Sequence, residues 1–143
     1  MPSHEVHRLL GYTAGQLFDL VADVDRYPEF LPWWIEARIR KRDGDVYYTD
    51  QVVGFGPIRE QFGSMTVLRR PDQIEVTSGD PPFKHFNLIW RFNPVSGKGC
   101  RVDLKADIEF RSPVLRNAFS WRLAGETRRI IAAFQTRAGQ VYG

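Results

Sequence analysis

The sequence predicts an α+β fold in which a curved antiparallel sheet of about seven strands wraps around one long C-terminal helix, with two short helices after the first strand. Three observations carry this expectation. A capped helix start follows directly on the first strand, alternating segments punctuated by turn residues fill positions 35–110, and a helical stripe runs on from Ser112. At 143 residues the chain is read as one domain over 1–143, long enough to enclose a core.

Val6 to Tyr12 reads as the first strand. Thr13-Ala14-Gly15-Gln16 then forms a capping box, the Thr hydroxyl and Gln amide being placed to satisfy free N–H groups of a helix start. Leu17, Phe18, Leu20, Val21 and Val24 supply that helix's apolar stripe. Asp23-Val24-Asp25 with Tyr27-Pro28 ends it and opens a second short turn. Tyr27-Pro28-Glu29-Phe30-Leu31-Pro32-Trp33-Trp34 is strongly apolar, but its two prolines forbid a regular helix or central strand, so a buried rigid loop is expected.

From Ile35 to Phe110 six strands form a meander, separated at Asp43-Gly44, Gly54-Phe55-Gly56-Pro57, Arg70-Pro71-Asp72, Gly79-Asp80-Pro81-Pro82 and Ser96-Gly97-Lys98-Gly99. In the last, Val102, Leu104, Ala106, Ile108 and Phe110 alternate with Arg101, Asp103, Lys105, Asp107 and Glu109; Phe86, Leu88, Trp90 and Phe92 alternate one strand earlier. Both strands therefore read as having one wet face, the pattern of a sheet covered on one side. Ser112-Pro113 caps a helix that nothing stops before Gly139 or Gly143, with a bend or close contact expected at Gly125. Its stripe is Leu115, Phe119, Leu123, Ile130, Phe134 and Val141. That helix must lie across the sheet, and a cavity between the two is a natural product of this order of elements, with a packed core as the alternative.

Composition excludes several classes. Cys100 is alone, so there is neither an internal disulfide nor a thiolate metal cluster, and a reducing cytoplasm is the expected location. The N-terminus lacks a signal pattern, and no apolar run approaches the roughly 18 residues of a membrane span. His4, His7 and His85 have no metal-ligand spacing; Gly54-x-Gly56 is a hairpin turn rather than a phosphate cradle; Ser64, Ser78 and Ser120 lack the glycines of a nucleophile elbow. No cofactor or catalytic residue is expected. The net charge of +3, carried almost wholly by arginine, is weak support for an anionic partner, a lipid headgroup or RNA.

Val21-Ala22-Asp23-Val24 followed by Tyr27 to Trp34 resembles the hallmark stretch of the coenzyme-Q-binding branch of the START-like superfamily, which also holds polyketide cyclases and lipid carriers. Val53-Gly54-Phe55, Asp80-Pro81-Pro82-Phe83-Lys84, Ala132-Ala133-Phe134, Ala138 and Tyr142-Gly143 support it, so that the match covers nearly the whole chain. The sequence departs from the commoner pattern at Trp34, where many relatives have a small residue or cysteine. The resemblance implies a helix-grip fold with an apolar tunnel, and non-catalytic binding of ubiquinone or another isoprenoid lipid in support of respiration. It implies a bacterial chain, and some bacterial relatives are instead ribosome-association toxins acting on the large subunit.

The expected tunnel lining is Phe30, Leu31, Pro32, Trp33, Trp34, Phe55, Phe62, Phe86, Trp90, Leu115, Phe119, Leu123 and Phe134. Each aromatic among them also suits plain core packing, but together they would hold an isoprenoid chain at about 0.8 kcal/mol per buried CH₂. Tyr48, Arg59, Gln61 and Asn87 are the candidate contacts to a polar head, subject to strand parity. Arginines beside Trp121 on the last helix would let it rest on anionic lipid, lifting as a lid; the cytoplasmic protein would then be transiently peripheral to the inner membrane. A monomer is the favoured state. An aromatase or cyclase would need a general base inside the tunnel, and the sequence nominates none.

Overall fold

The computed structural model describes residues 3–55, 58–97, 99–120 and 122–143. Strand β1 (Ser3–Leu10) leads into helix α1 (Ala14–Ala22), a 3₁₀ helix (Val24–Glu29), and strands β2 (Trp34–Asp43), β3 (Val46–Phe55), β4 (Ile58–Arg69), β5 (Gln73–Thr77), β6 (Phe83–Pro94) and β7 (Cys100–Phe110). Helices α2 (Pro113–Ser120) and α3 (Leu123–Tyr142) close the chain. The sheet order is β1-β7-β6-β5-β4-β3-β2, so the six-stranded meander is as expected and β1 joins it antiparallel to β7, with Val6 opposite Leu104 and Leu10 opposite Cys100. Register shifts between Trp34 and Glu36, Ile39 and Lys41, and Phe83 and His85 curve the sheet.

The capping box is formed: Gln16 N–H donates to Thr13 Oγ1 at 3.1 Å and Thr13 N–H to Gln16 Oε1 at 3.0 Å. The other end of α1 is held by two tyrosines, Tyr27 donating its hydroxyl to the Val21 carbonyl and Tyr47 to that of Ala22 at 2.8 Å. Carbonyls that a helix end leaves without partners are thereby satisfied by side chains from the 3₁₀ helix and the sheet. The expected loop over Tyr27–Trp34 is in part this 3₁₀ helix, which accommodates Pro28 in its last turn; of that stretch only Leu31 is fully buried.

Where the sequence reads one helix from Ser112, the structure has two, α3 starting afresh at Leu123 after Arg122, and the interruption does not fall at Gly125. On either side of the interruption Phe119 packs edge-on against Phe110 at 5.2 Å and Leu123 is buried. Gly125 has no atom within 4 Å of where a Cβ would stand, so no close contact requires it. Helix α3 buries Leu123, Thr127, Ile130, Ile131, Phe134 and Ala138, a spacing of three and four that puts them on one face. Thr127 joins this face because its hydroxyl donates to the Leu123 carbonyl at 2.6 Å.

The concave face of the sheet carries Val6, Leu10, Val102, Leu104, Ala106, Phe110, Phe86, Leu88, Trp90 and Phe92. The convex face is drier than alternation alone implies. Asp103 and Glu109 are both buried on it, Asp103 accepting from His7 at 2.7 Å and Arg101 at 3.1 Å, Glu109 facing Lys84 at 3.6 Å and Arg116 at 3.5 Å. Long basic side chains lie over these carboxylates and remove them from water. Hydrogen bonds from His7 and Arg101 outweigh the cost of burial and hold the Asp103 carboxyl below the usual range.

Candidate functional site

Among the described residues two adjoining cavities lie between the sheet and α3. The larger, about 40 Å³, is bounded by Trp33, Trp34, Val53, Phe62, Phe83, Phe86, Leu88, Ala106, Ile108, Phe110, Phe119, Leu123, Glu126, Thr127 and Ile130. The smaller, about 30 Å³, is bounded by Val24, Tyr27, Leu31, Trp34, Tyr47, Gln51, Thr66, Val76, Phe86, Leu88, Trp90, Ile130 and Phe134. Trp34, Phe86, Leu88 and Ile130 border both and form the partition. Each has room for a few water molecules, far below the roughly 300–1,000 Å³ of a small-molecule pocket. Among the described residues the space expected to form a roomy tunnel is narrow in this conformation, much of it taken by the protein's own rings. Phe62, Phe83 and Phe86 sit 4.8–5.3 Å apart, and Trp90 and Phe30 each meet Phe134 edge-on at 5.0 Å.

Of the residues expected to line a tunnel, Trp33, Trp34, Phe62, Phe86, Phe119 and Leu123 border the larger cavity, and Leu31, Trp34, Phe86, Trp90 and Phe134 the smaller. Phe30 faces elsewhere, onto a surface groove beside Arg137, whose guanidinium lies 5.1 Å from its ring. Pro32 and Leu115 are half-buried and border neither cavity. The side chain of Phe55 and all of Trp121 fall outside the described residues.

The four expected head contacts are corrected by strand parity. On β3 the buried set is Tyr47, Thr49, Gln51 and Val53, and on β4 it is Phe62, Ser64 and Thr66. Tyr48, Arg59 and Gln61 take the opposite parity and face out, and Asn87 alternates with buried Phe86 and Leu88 and donates to Glu75 on the convex face at 2.8 Å.

The polar groups that do reach the interior form a strip the sequence reading missed. Trp34 Nε1–H donates to Gln51 Oε1 at 2.6 Å, and Gln51 Nε2 donates to Ser64 Oγ at 2.8 Å. Thr49, Ser64 and Thr66 are buried beside them, Thr49 lying opposite Ser64 and Tyr47 opposite Thr66 in the ladder. Burial, helped by Tyr47 and Asp23, pushes the Tyr27 hydroxyl well above its ordinary range, and burial likewise pushes Tyr47 up to about 12. Both phenols are thus neutral donors at any physiological pH. Among the described cavity residues Glu126 is the one carboxylate, and Arg129 holds it at 3.3 Å. The histidines lie away from both cavities, His7 and His85 pairing with Asp103 and Asp107 on the convex face. No group of three or more His, Cys, Asp or Glu able to hold a metal ion occurs among the described residues. No described helix is long and apolar enough to cross a membrane.

Comparison with known proteins agrees with this architecture. Residues 10–135 match the family described as polyketide cyclase/dehydrase and lipid transport. The ribosome association toxin RatA of Pseudomonas aeruginosa is 30% identical over 135 residues, 94% of either chain. The mitochondrial coenzyme Q-binding protein COQ10 homolog B of Xenopus laevis is 29% identical over 140 residues, 95% of this chain but 57% of that protein. Among solved structures, an 18 kDa protein of Caulobacter crescentus superposes with a TM-score of 0.79 at 35% identity, covering 100% of this chain and 99% of that one. The Zhui aromatase/cyclase from Streptomyces superposes with a TM-score of 0.85 at 15% identity, covering 96% and 93%, a likeness of fold alone. A curved sheet closed by a terminal helix over an apolar interior defines a START-like fold, and the chain belongs to the polyketide cyclase/dehydrase and lipid transport family.

Proposed function

We propose that the protein is a non-catalytic carrier that binds ubiquinone or a related isoprenoid lipid between the sheet and α3. The observation that carries this reading is the partitioned apolar interior: two adjoining cavities separated by only four side chains, Trp34, Phe86, Leu88 and Ile130. At about 40 and 30 Å³ the cavities are smaller than such a ligand, so binding would go with an outward movement of the first turn of α3. The start of α3 at Arg122 and Leu123 is where that movement would hinge. Arg128 and Arg129 are exposed on the same part of α3, Arg129 lying 6.0 Å from the Trp33 ring, so an anionic membrane surface would meet the opening. The family resemblance to a coenzyme Q-binding protein supports the same reading.

The test is organic extraction of the purified protein followed by mass spectrometry, and uptake of added decylubiquinone by the extracted protein. A co-purified or captured quinone or lipid is expected; clean extracts that also fail to take up the quinone would reject the proposal.

A second reading, association with the large ribosomal subunit, is favoured by the whole-length likeness to RatA and by one surface. Edge strand β2 exposes Arg38, Arg40, Lys41 and Arg42, with Arg59 two strands away, and Asp50 answers only Arg38 and Arg40. Co-sedimentation with large subunits that weakens steeply with salt, and is lost when Arg38, Arg40 and Arg42 are changed to Glu, is expected on this reading.

A further inference from the structure

The geometry points to Gln51 as the anchor for the head of the buried ligand and to Trp34 as the gate that occupies that anchor when the interior is closed. The ligand class that fits is an isoprenoid or other apolar chain ending in a hydroxyl, as an alcohol, a phenol or, within the ubiquinone couple, the reduced quinol, since the oxidised head brings no donor. This rests on the lipid-binding reading and deepens it.

The four members of the partition are not equally held. Phe86 and Leu88 are buried in β6, Leu88 paired by both β5 and β7 and Phe86 by β7, and Ile130 is buried on α3. Trp34 differs. It is the first residue of an edge strand, the register slips immediately after it, and it is only half-buried. A chain longer than one cavity must pass the partition, and Trp34 is the member least held by the ladder.

Moving Trp34 has a defined polar consequence. Its indole N–H is the donor to Gln51 Oε1, and Gln51 is 4% exposed. With the indole gone, that oxygen becomes a buried acceptor, while Nε2 keeps its bond to Ser64 Oγ. A buried acceptor without a donor is costly, and a hydroxyl supplies one where an ether, ester or hydrocarbon cannot. The strip also has polar capacity the protein does not use: Thr49 Oγ1, fully buried on the same face and opposite Ser64, has no hydrogen-bond partner among the described residues.

The experiment compares farnesol with its methyl ether, which matches it in length but has no donor, by equilibrium dialysis against wild type, Gln51→Leu and Trp34→Phe, after thermal melts establish that each variant folds. Wild type should prefer the alcohol by roughly tenfold, the worth of about one buried hydrogen bond. Gln51→Leu should abolish that preference while still binding the ether. Trp34→Phe keeps a ring but removes the competing N–H, so it should widen the preference for the alcohol, a gain that general loosening of the fold would not produce. Equal affinity for the two probes in wild type and Gln51→Leu would overturn the anchor and leave the lipid reading standing. Failure of wild type and Trp34→Phe to bind either probe would overturn both.

Discussion

The hydroxyl of Tyr47, on the concave face of β3, donates to the carbonyl of Ala22 at the end of α1, 2.8 Å away and 25 residues earlier in the chain. It ties the first helix to the far half of the sheet, and the ring is 2% exposed. Tyr47→Phe keeps the ring and leaves the carbonyl without its donor, so a loss of about 1–2 kcal/mol is expected in denaturant unfolding. The same phenol makes a pH prediction. Burial raises it from 10.0 to about 12, so between those values the native protein keeps a proton that the unfolded chain releases. Stability is therefore fully present below pH 10 and falls as pH rises through that window, by on the order of 2 kcal/mol. The difference in stability between wild type and Tyr47→Phe, followed from pH 9 to 12, should shrink accordingly; a constant difference would refute the assignment.

Gly125 sits inside the first turn of α3 with open space around its missing Cβ and no positive φ. Alanine there removes backbone freedom from the unfolded chain without a clash, so Gly125→Ala should raise stability by about 0.5–1 kcal/mol. Thermal unfolding reads this directly. A lowered Tm would mean that the glycine serves a conformation of α3 other than the closed one.

Arg137 Nη2 lies 2.6 Å from Glu29 Oε1, fastening the last turns of α3 to the 3₁₀ helix. The Arg137 hydrogen bond is the main reason the Glu29 carboxyl sits below its usual range, with Arg26 adding to it. A depressed carboxyl contributes stability above its unfolded pKa and loses that contribution as pH falls through the folded one. A double-mutant cycle of Glu29→Gln with Arg137→Gln should show favourable coupling at pH 7 that weakens progressively as acid protonates Glu29 and shrinks in high salt. Coupling unchanged by acid would assign the contact to packing of Arg137 on Phe30 instead.

What the sequence disclosed and what it withheld divide along a physical line. The capping box at Thr13 and Gln16, the turn glycines and prolines, and the period-two alternation of β6 and β7 are local signals, and the meander follows from them. Strand parity on β3 and β4 was not legible. Tyr47 to Val53 reads as polar and apolar residues mixed on both faces, because Thr49 and Gln51 occupy concave positions while Val52 takes the convex parity. Only the register of Thr49 against Ser64 and Tyr47 against Thr66 shows which polar side chains go in. A signal was present, since Thr49, Gln51, Ser64 and Thr66 share the parity of Val53 and Phe62, but Tyr48, Arg59 and Gln61 drew the choice by their head-group chemistry. The break before Leu123 was hidden for a different reason: no glycine or proline marks it, and it lies beside a long-range contact, Phe119 on Phe110, that no local pattern encodes. Cavity size likewise depends on how side chains interdigitate, which no periodicity encodes.

Ala106 offers a direct test of where a ligand would lie. It is 1% exposed on β7 and borders the larger cavity, between Leu104 and the partly buried Ile108. Ala106→Leu adds bulk to a space of about 40 Å³, so it should fill the cavity at a stability cost of about 1–3 kcal/mol from overpacking. Uptake of decylubiquinone should fall at least tenfold in this variant, the order of loss expected when a ligand's apolar chain is denied its site. Lys105→Leu places the same side chain one residue away on the exposed convex face and should leave uptake unchanged. Retained uptake by a folded Ala106→Leu protein would mean that the ligand enters by the Tyr27 and Tyr47 side alone, and loss in both variants would point to an effect of surface rather than of the space beneath α3.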